Sequence, residues 1–299
     1  MHACKALLVA SGIALFDLVG TGAASDNQSG RIRIDYVVPD NPQHQYIYEM
    51  LKQRKSLEKL QEIFSVFQLP SELILRVVGC DGRVNAWYEE GVITVCYEHL
   101  EHIKKTMPKE VTEAGLTPDD AIAGQFFYAF AHELGHAVFD LLSVPNFGGQ
   151  EDAADRFATY MIMSLGPDDA KRLIMGAAYA YRPYIENPAV SVQLRAFSDE
   201  HNPPPQRYYN LLCIAYGANP QLFAEIVTNN HLPKMRAARC RHEYGEVNFA
   251  FKKTIGPHVD GEIAERVKQR HWLSDVTTTS GSFDRQIGPH ALDGVYGFF

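Results

Sequence analysis

The feature that most constrains this chain is "YAFAHELGHAVFDLL", residues Tyr128 to Leu142, where two histidines and a glutamate interrupt an otherwise apolar helical run. Polar groups in such a run are satisfied either by hydrogen bonds in a core or by a ligand. His132 and His136 stand four residues apart, which on an α-helix places both side chains on one face, one turn apart. Two imidazoles so placed can hold one Zn2+ at roughly 2.0–2.1 Å each. Glu133 follows about 100° round the helix, close enough to reach a water at the metal without being a ligand. The pattern is H-E-x-x-H, here H-E-L-G-H. Gly135 adds a second constraint. Glycine inside a helix costs roughly 0.5–1 kcal/mol relative to alanine. A close neighbour, or room for metal and substrate, would explain it.

Thr117 as N-cap, Pro118 in the first position and the following Asp119 and Asp120 predict the start of this helix. It is expected to run to about Leu142 and stop at "SVPNFGG". Catalytic zinc usually takes three protein groups and a water. Fifteen residues past His136, "GGQEDAADRFATYM" opens a second helix with Glu151, and Asp155 follows one turn later on the same face. Taken alone, these acids only complement a helix dipole. Coupled to H-E-L-G-H by a short loop, they predict a His2Glu site. Glu151 is then the third ligand, and Asp155 accepts from the far nitrogen of a ligand histidine and fixes its tautomer.

H-E-x-x-H followed by E-x-x-x-D on the next helix resembles the gluzincin metallopeptidases, which include thermolysin-like and CAAX-protease-like enzymes. The resemblance implies His132, His136 and Glu151 as ligands, Glu133 as general base and Asp155 as the partner behind the ligands. It covers roughly residues 85 to 165. The wider chain, with "NAWY", "CYE", "DEHNPPPQRYYNLLC" and "RAARC", is similar to a bacterial family of metallopeptidases whose substrates are unknown. "VNAWY" resembles the strand on which thermolysin-like enzymes hold an extended peptide, which implies substrate binding by the Asn85 side chain and the Ala86 backbone. His201, with Asp199 beside it, resembles the histidine that stabilises the oxyanion in those enzymes. Arg207, in the same segment, is a candidate for a structural pair with Glu200 or a carbonyl.

With 299 residues, 46% hydrophobic and 21% charged, the chain can bury a substantial core. A net charge of −8 and the absence of a basic block argue against a nucleic-acid or anionic-membrane partner. At the N-terminus, Lys5, the run "ALLVASGIALF" and the small residues "GTGAAS" resemble a secretory leader over residues 1–24, cleaved after Ala24. The run is too short and interrupted to span a bilayer, so no stable membrane insertion is expected after cleavage. Of five cysteines, Cys4 lies in the leader. The other four are an even number, as an oxidising compartment favours. They allow three pairings. Cys80 and Cys96 flank a predicted hairpin and Cys213 and Cys240 flank two predicted helices, which favours those two local bridges. An exported protein, periplasmic or secreted, is expected.

"RIRIDYVV" alternates and predicts a first strand, and a single helix is expected from about Gln45 to Gln68. "LILRVVG", "RVNAWYEE" and "VITVCYE", separated by Asp81-Gly82 and Gly91, predict further strands. From Thr117 the pattern turns helical. The expected fold is α+β and zincin-like: a small, mainly antiparallel sheet over about 31–100, then helices over about 117–270. Together these form one domain, 25–270, followed by a tail, 271–299. The expected activity is zinc-dependent hydrolysis of a peptide or protein, with Glu133 as general base. The alternative is an exported zinc-binding module with the same fold and no proteolysis.

Overall fold

The computed structural model describes residues 31–187 and 189–273. The leader expected at 1–24 and most of the expected tail lie outside these residues. Strand β1 (Ile32–Tyr36) ends at a tyrosine that anchors a helix start 21 positions later. The Tyr36 hydroxyl accepts from the backbone N–H of Leu57 (2.8 Å) and donates to Glu58 (2.7 Å). It thereby satisfies a donor that a helix start leaves open. This explains why the single helix expected over 45–68 is two, α1 (Gln45–Gln53) and α2 (Ser56–Phe64). The break is at Lys55, which adopts a left-handed φ of 51°.

The α+β expectation holds: one four-stranded sheet near the N-terminus and a mostly helical remainder. The sheet itself is mixed, which corrects the mainly antiparallel expectation. Its order is β1-β2-β4-β3, with β2 at Leu73–Val78, β3 at Ala86–Glu89 and β4 at Val92–Cys96. β1 runs parallel to β2 and β2 parallel to β4, while only the β3–β4 hairpin is antiparallel. The central strands bury Leu73, Leu75, Val77, Ile93 and Val95 completely. Such apolar runs are typical of strands covered on both faces. Glu90 (φ 47°) and Gly91 (φ 81°) close the hairpin in the left-handed region that tight two-residue turns require. β3 is left as an edge.

Cys80 and Cys96 are bonded, as are Cys213 and Cys240, so both expected pairings form. Two disulfides fit an oxidising compartment. The helical part begins earlier than Thr117, with α3 (Tyr97–Thr106) rising directly from β4. Helix α4 (Pro118–Leu141) starts as expected, the Thr117 side chain accepting from the Asp120 N–H. It forms the centre of the molecule. α5 (Gln150–Met163) and α6 (Pro167–Tyr179) pack against it, then the short α7 (Arg182–Glu186) and α8 (Pro204–Ala218) follow. α9 (Ala224–Thr228), α10 (Lys234–Thr254) and α11 (Gly261–Gln269) complete the described chain. At its end Trp272 is buried, its backbone N–H donated to Asp169 (2.7 Å) and its indole N–H to the Val267 carbonyl (2.9 Å). The chain is therefore held in place beyond the 270 boundary. No helix of the described residues is long and apolar enough to cross a membrane.

Candidate metal centre

The close neighbour of Gly135 is α5. A Cβ there would lie 3.1 Å from the Ala154 Cα, so the missing side chain lets the two helices approach. Ala154 is followed by Asp155 and preceded, one residue short of a turn, by Glu151. The approach that removes a side chain from α4 thus delivers two carboxylates to its histidines. His132 Nε2 and Glu151 Oε2 are 3.0 Å apart. His136 Nε2 lies 3.2 Å from His132 Nε2 and 3.4 Å from Glu151 Oε2. One ligand atom from each of His132, His136 and Glu151 falls within 4.8 Å of the others.

Behind this trio, His132 Nδ1 faces Asp155 Oδ1 at 2.8 Å. The carboxylate is in turn gripped by Arg207 of α8, Nε to Oδ2 at 2.7 Å and Nη2 to Oδ1 at 2.6 Å. This corrects the expected pairing of Arg207 with Glu200 or a carbonyl. Asp155 and Arg207 are both buried, 6% and 4% exposed. Burial pushes the Asp155 carboxyl up, but the Arg207 charge and the His132 hydrogen bond overcome it and hold the group well below the usual carboxylate range. An ionised Asp155 keeps the proton of His132 on Nδ1. Nε2 is the nitrogen that then faces Glu151.

The electrostatics of the trio follow from that placement. Burial would lower the His132 pKa, yet hydrogen bonds to Asp155 and Glu151 raise it to about 9. Burial likewise acts to raise Glu151, and the hydrogen bonds from His132, His136 and His201 depress it strongly instead. Two imidazole nitrogens and a carboxylate oxygen, each able to offer a lone pair, converge on one point. Only a proton or a cation satisfies such a set, and an N2O set of this kind suits Zn2+. Glu133 is buried beside them, 8% exposed, and burial raises its pKa.

His201 also reaches this cluster, though the sequence separation gives little sign of it. Its Nε2 is 2.8 Å from Glu151 Oε2, and its ring stacks on that of His132 with centroids 6.1 Å apart. Asp199 Oδ1 holds the other side, accepting from the His201 backbone N–H at 2.9 Å and lying 3.2 Å from Nδ1. Asn85 and Ala86 stand apart. Asn85 is exposed just before β3, and among the described residues neither forms a hydrogen bond to the cluster. The Asn85 carbonyl accepts from Cys96, turning the Asn85 backbone toward β4. By the alternation of an antiparallel pair, the Ala86 and Tyr88 backbones face the open edge. β3 lies along α4, where the Tyr88 hydroxyl donates to Asp140 (2.7 Å), one turn beyond His136.

A family model described as "Putative metallopeptidase" matches residues 36–254, from the end of β1 to the end of α10. The chain belongs to this family. No curated protein and no solved structure matches it. Membership in the metallopeptidase family implies a metal cofactor and peptides or proteins as substrates, without naming the metal or the sequence cleaved. The matched span contains every residue of the cluster just described, together with Arg207, which sequence reasoning left outside it. The signal for Arg207 was available in principle. Asp155 is a buried acid with one histidine partner, and burying an ionised carboxylate calls for a cation.

Proposed function

We propose that the protein is a gluzincin-type zinc metallopeptidase, exported to the periplasm or the medium, that hydrolyses peptide bonds. The convergence of His132, His136 and Glu151 at one point carries this reading. His132, His136 and Glu151 would hold the ion. When bound, zinc supplies Lewis acidity, polarising the scissile carbonyl and lowering the pKa of water to about 7.

The chain's own residues do the rest. Asp155, locked by Arg207, fixes the His132 tautomer so that Nε2 is free to ligate. Glu133 takes a proton from the attacking water and returns it to the leaving amine. A buried carboxyl with a raised pKa suits that exchange. His201, oriented by Asp199, donates from Nε2 to the oxyanion that forms on the carbonyl. The substrate lies extended along β3, pairing with the Ala86 backbone at the open edge and contacting the Asn85 side chain. The disulfides and the leader-like N-terminus support export.

The first experiment is elemental analysis of the purified protein beside Glu151→Gln, followed by a peptidase assay of Glu133→Gln. About one zinc per chain in the wild type, much reduced in Glu151→Gln, is expected. Glu133→Gln should keep its metal and lose turnover. Full activity in Glu133→Gln would sink the mechanism. A zinc-loaded wild type that cleaves no peptide would leave a zinc-binding module instead.

A further inference from the structure

α10 buries only Ala237 and Cys240 of its 21 residues, so only its inner side is committed. Ala237 and Cys240 are buried there, and Tyr244 and Phe251 stack on Tyr160 with centroids 6.1 and 4.2 Å away. The disulfide to Cys213 and the contact at Gly217, where a Cβ would come within 2.1 Å of the Cys240 carbonyl oxygen, fix α10 on α8. Its outer face is therefore presented as a rigid surface.

That face has an unusual composition for this molecule. Met235, His242 and Phe249, seven residues apart, follow one line along the helix. Met235 is 89% exposed and Phe249 64% exposed, at positions about 21 Å apart along the axis. Lys234, Arg239, Arg241, Lys252 and Lys253 flank that line, all exposed. None of these five forms an ion pair among the described residues, whereas Arg33, Arg76, Arg156, Lys171 and Arg270 each sit on a carboxylate. Lys253 instead stands over the Phe249 ring, 5.9 Å from its centroid. The one exposed acid of the helix, Glu246, lies 3.4 Å from His242. All this occurs in a chain of net charge −8.

We propose that the outer face of α10 docks peripherally on an anionic lipid bilayer. Met235 and Phe249 enter the boundary between headgroups and acyl chains, and the flanking Lys and Arg side chains reach the lipid phosphates. A soluble polyanion would satisfy the cations but would leave the two apolar side chains between them unused. A bilayer surface satisfies both. The whole-chain charge had argued against an anionic membrane. The local field on this face overrides it, because charges farther away than a Debye length of about 8–10 Å are screened. The proposal is independent of the peptidase reading, since no α10 residue belongs to the metal centre.

The test is co-sedimentation of the full chain with phosphatidylglycerol–phosphatidylcholine vesicles, against vesicles of phosphatidylcholine alone. At least about tenfold stronger binding to the anionic vesicles is expected, declining as salt rises. Arg239→Glu with Arg241→Glu should abolish the preference, and Met235→Ser with Phe249→Ser should weaken anionic binding by a similar factor. These positions are exposed, and an unchanged melting curve confirms that each variant folds. Equal binding to both vesicles, or variants that bind like the wild type, would overturn the proposal. So would an α10-dependent affinity for polyphosphate or heparin without any for vesicles.

Discussion

At the scale of single residues, the chemistry divides by whether a partner is near in sequence. His132, Glu133 and His136 announce themselves by helical spacing, and Glu151 and Asp155 by their place on the next helix. Arg207 is 52 positions from the carboxylate it holds, and no local pattern encodes that contact. The contact predicts a large effect. Arg207→Met leaves Asp155 buried and without its only buried arginine partner, supported by His132 and the Tyr128 hydroxyl, which should cost about 3–5 kcal/mol, readable as a shift of the urea midpoint. Arg207→Lys should recover only part, because an ammonium cannot reproduce the two-pronged grip on Asp155. If Arg207→Met unfolds with the wild-type midpoint, the Asp155 carboxylate is not relying on it.

At the scale of elements, the helix ends were legible where capping chemistry is strong, as at Thr117 and Pro118. They were not legible where a tertiary contact decides, as at Lys55, where the Tyr36 hydroxyl starts a new helix. α3 was missed because "YEHLEHIKKT" is polar, and its core residues Tyr97, Leu100 and Ile103 show their spacing only once the opposite face is known to be solvated. The parallel pairings of the sheet depend on crossovers, which strand patterning does not specify. The α4–α5 crossing gives a prediction at this scale. Gly135→Val places branched carbon where the Ala154 backbone already sits 3.1 Å from a Cβ, so the helices must separate. Destabilisation of about 1–3 kcal/mol is expected, with zinc affinity falling by at least about tenfold. Calorimetric zinc titration of the refolded variant reads the second quantity, and wild-type affinity would mean that the crossing does not set the site.

For the whole molecule, acid is the revealing perturbation. His99 is buried and burial, with His102 nearby, lowers its pKa to about 4 from 6.5. The unfolded chain therefore binds a proton that the folded one refuses between those values. Stability should fall as pH drops from 6.5 toward 4, by about 3 kcal/mol from this group. His99→Gln should flatten that part of a stability–pH curve. An unchanged slope would assign the acid limb to other groups.

The loop joining the two helices that carry the proposed ligands has one more effect, on timing. His132 and Glu151 are 19 positions apart, while the clamp behind them spans 52 and the outer helices are tied by a disulfide between Cys213 and Cys240. Short-range contacts form first because their loop-closure entropy is smallest. As the chain collapses, the α4–α5 hairpin can bring the three proposed ligand side chains together before the α8 arginine arrives. The ion would then act as a nucleus for the helical half, and refolding with zinc present should be faster than refolding followed by zinc.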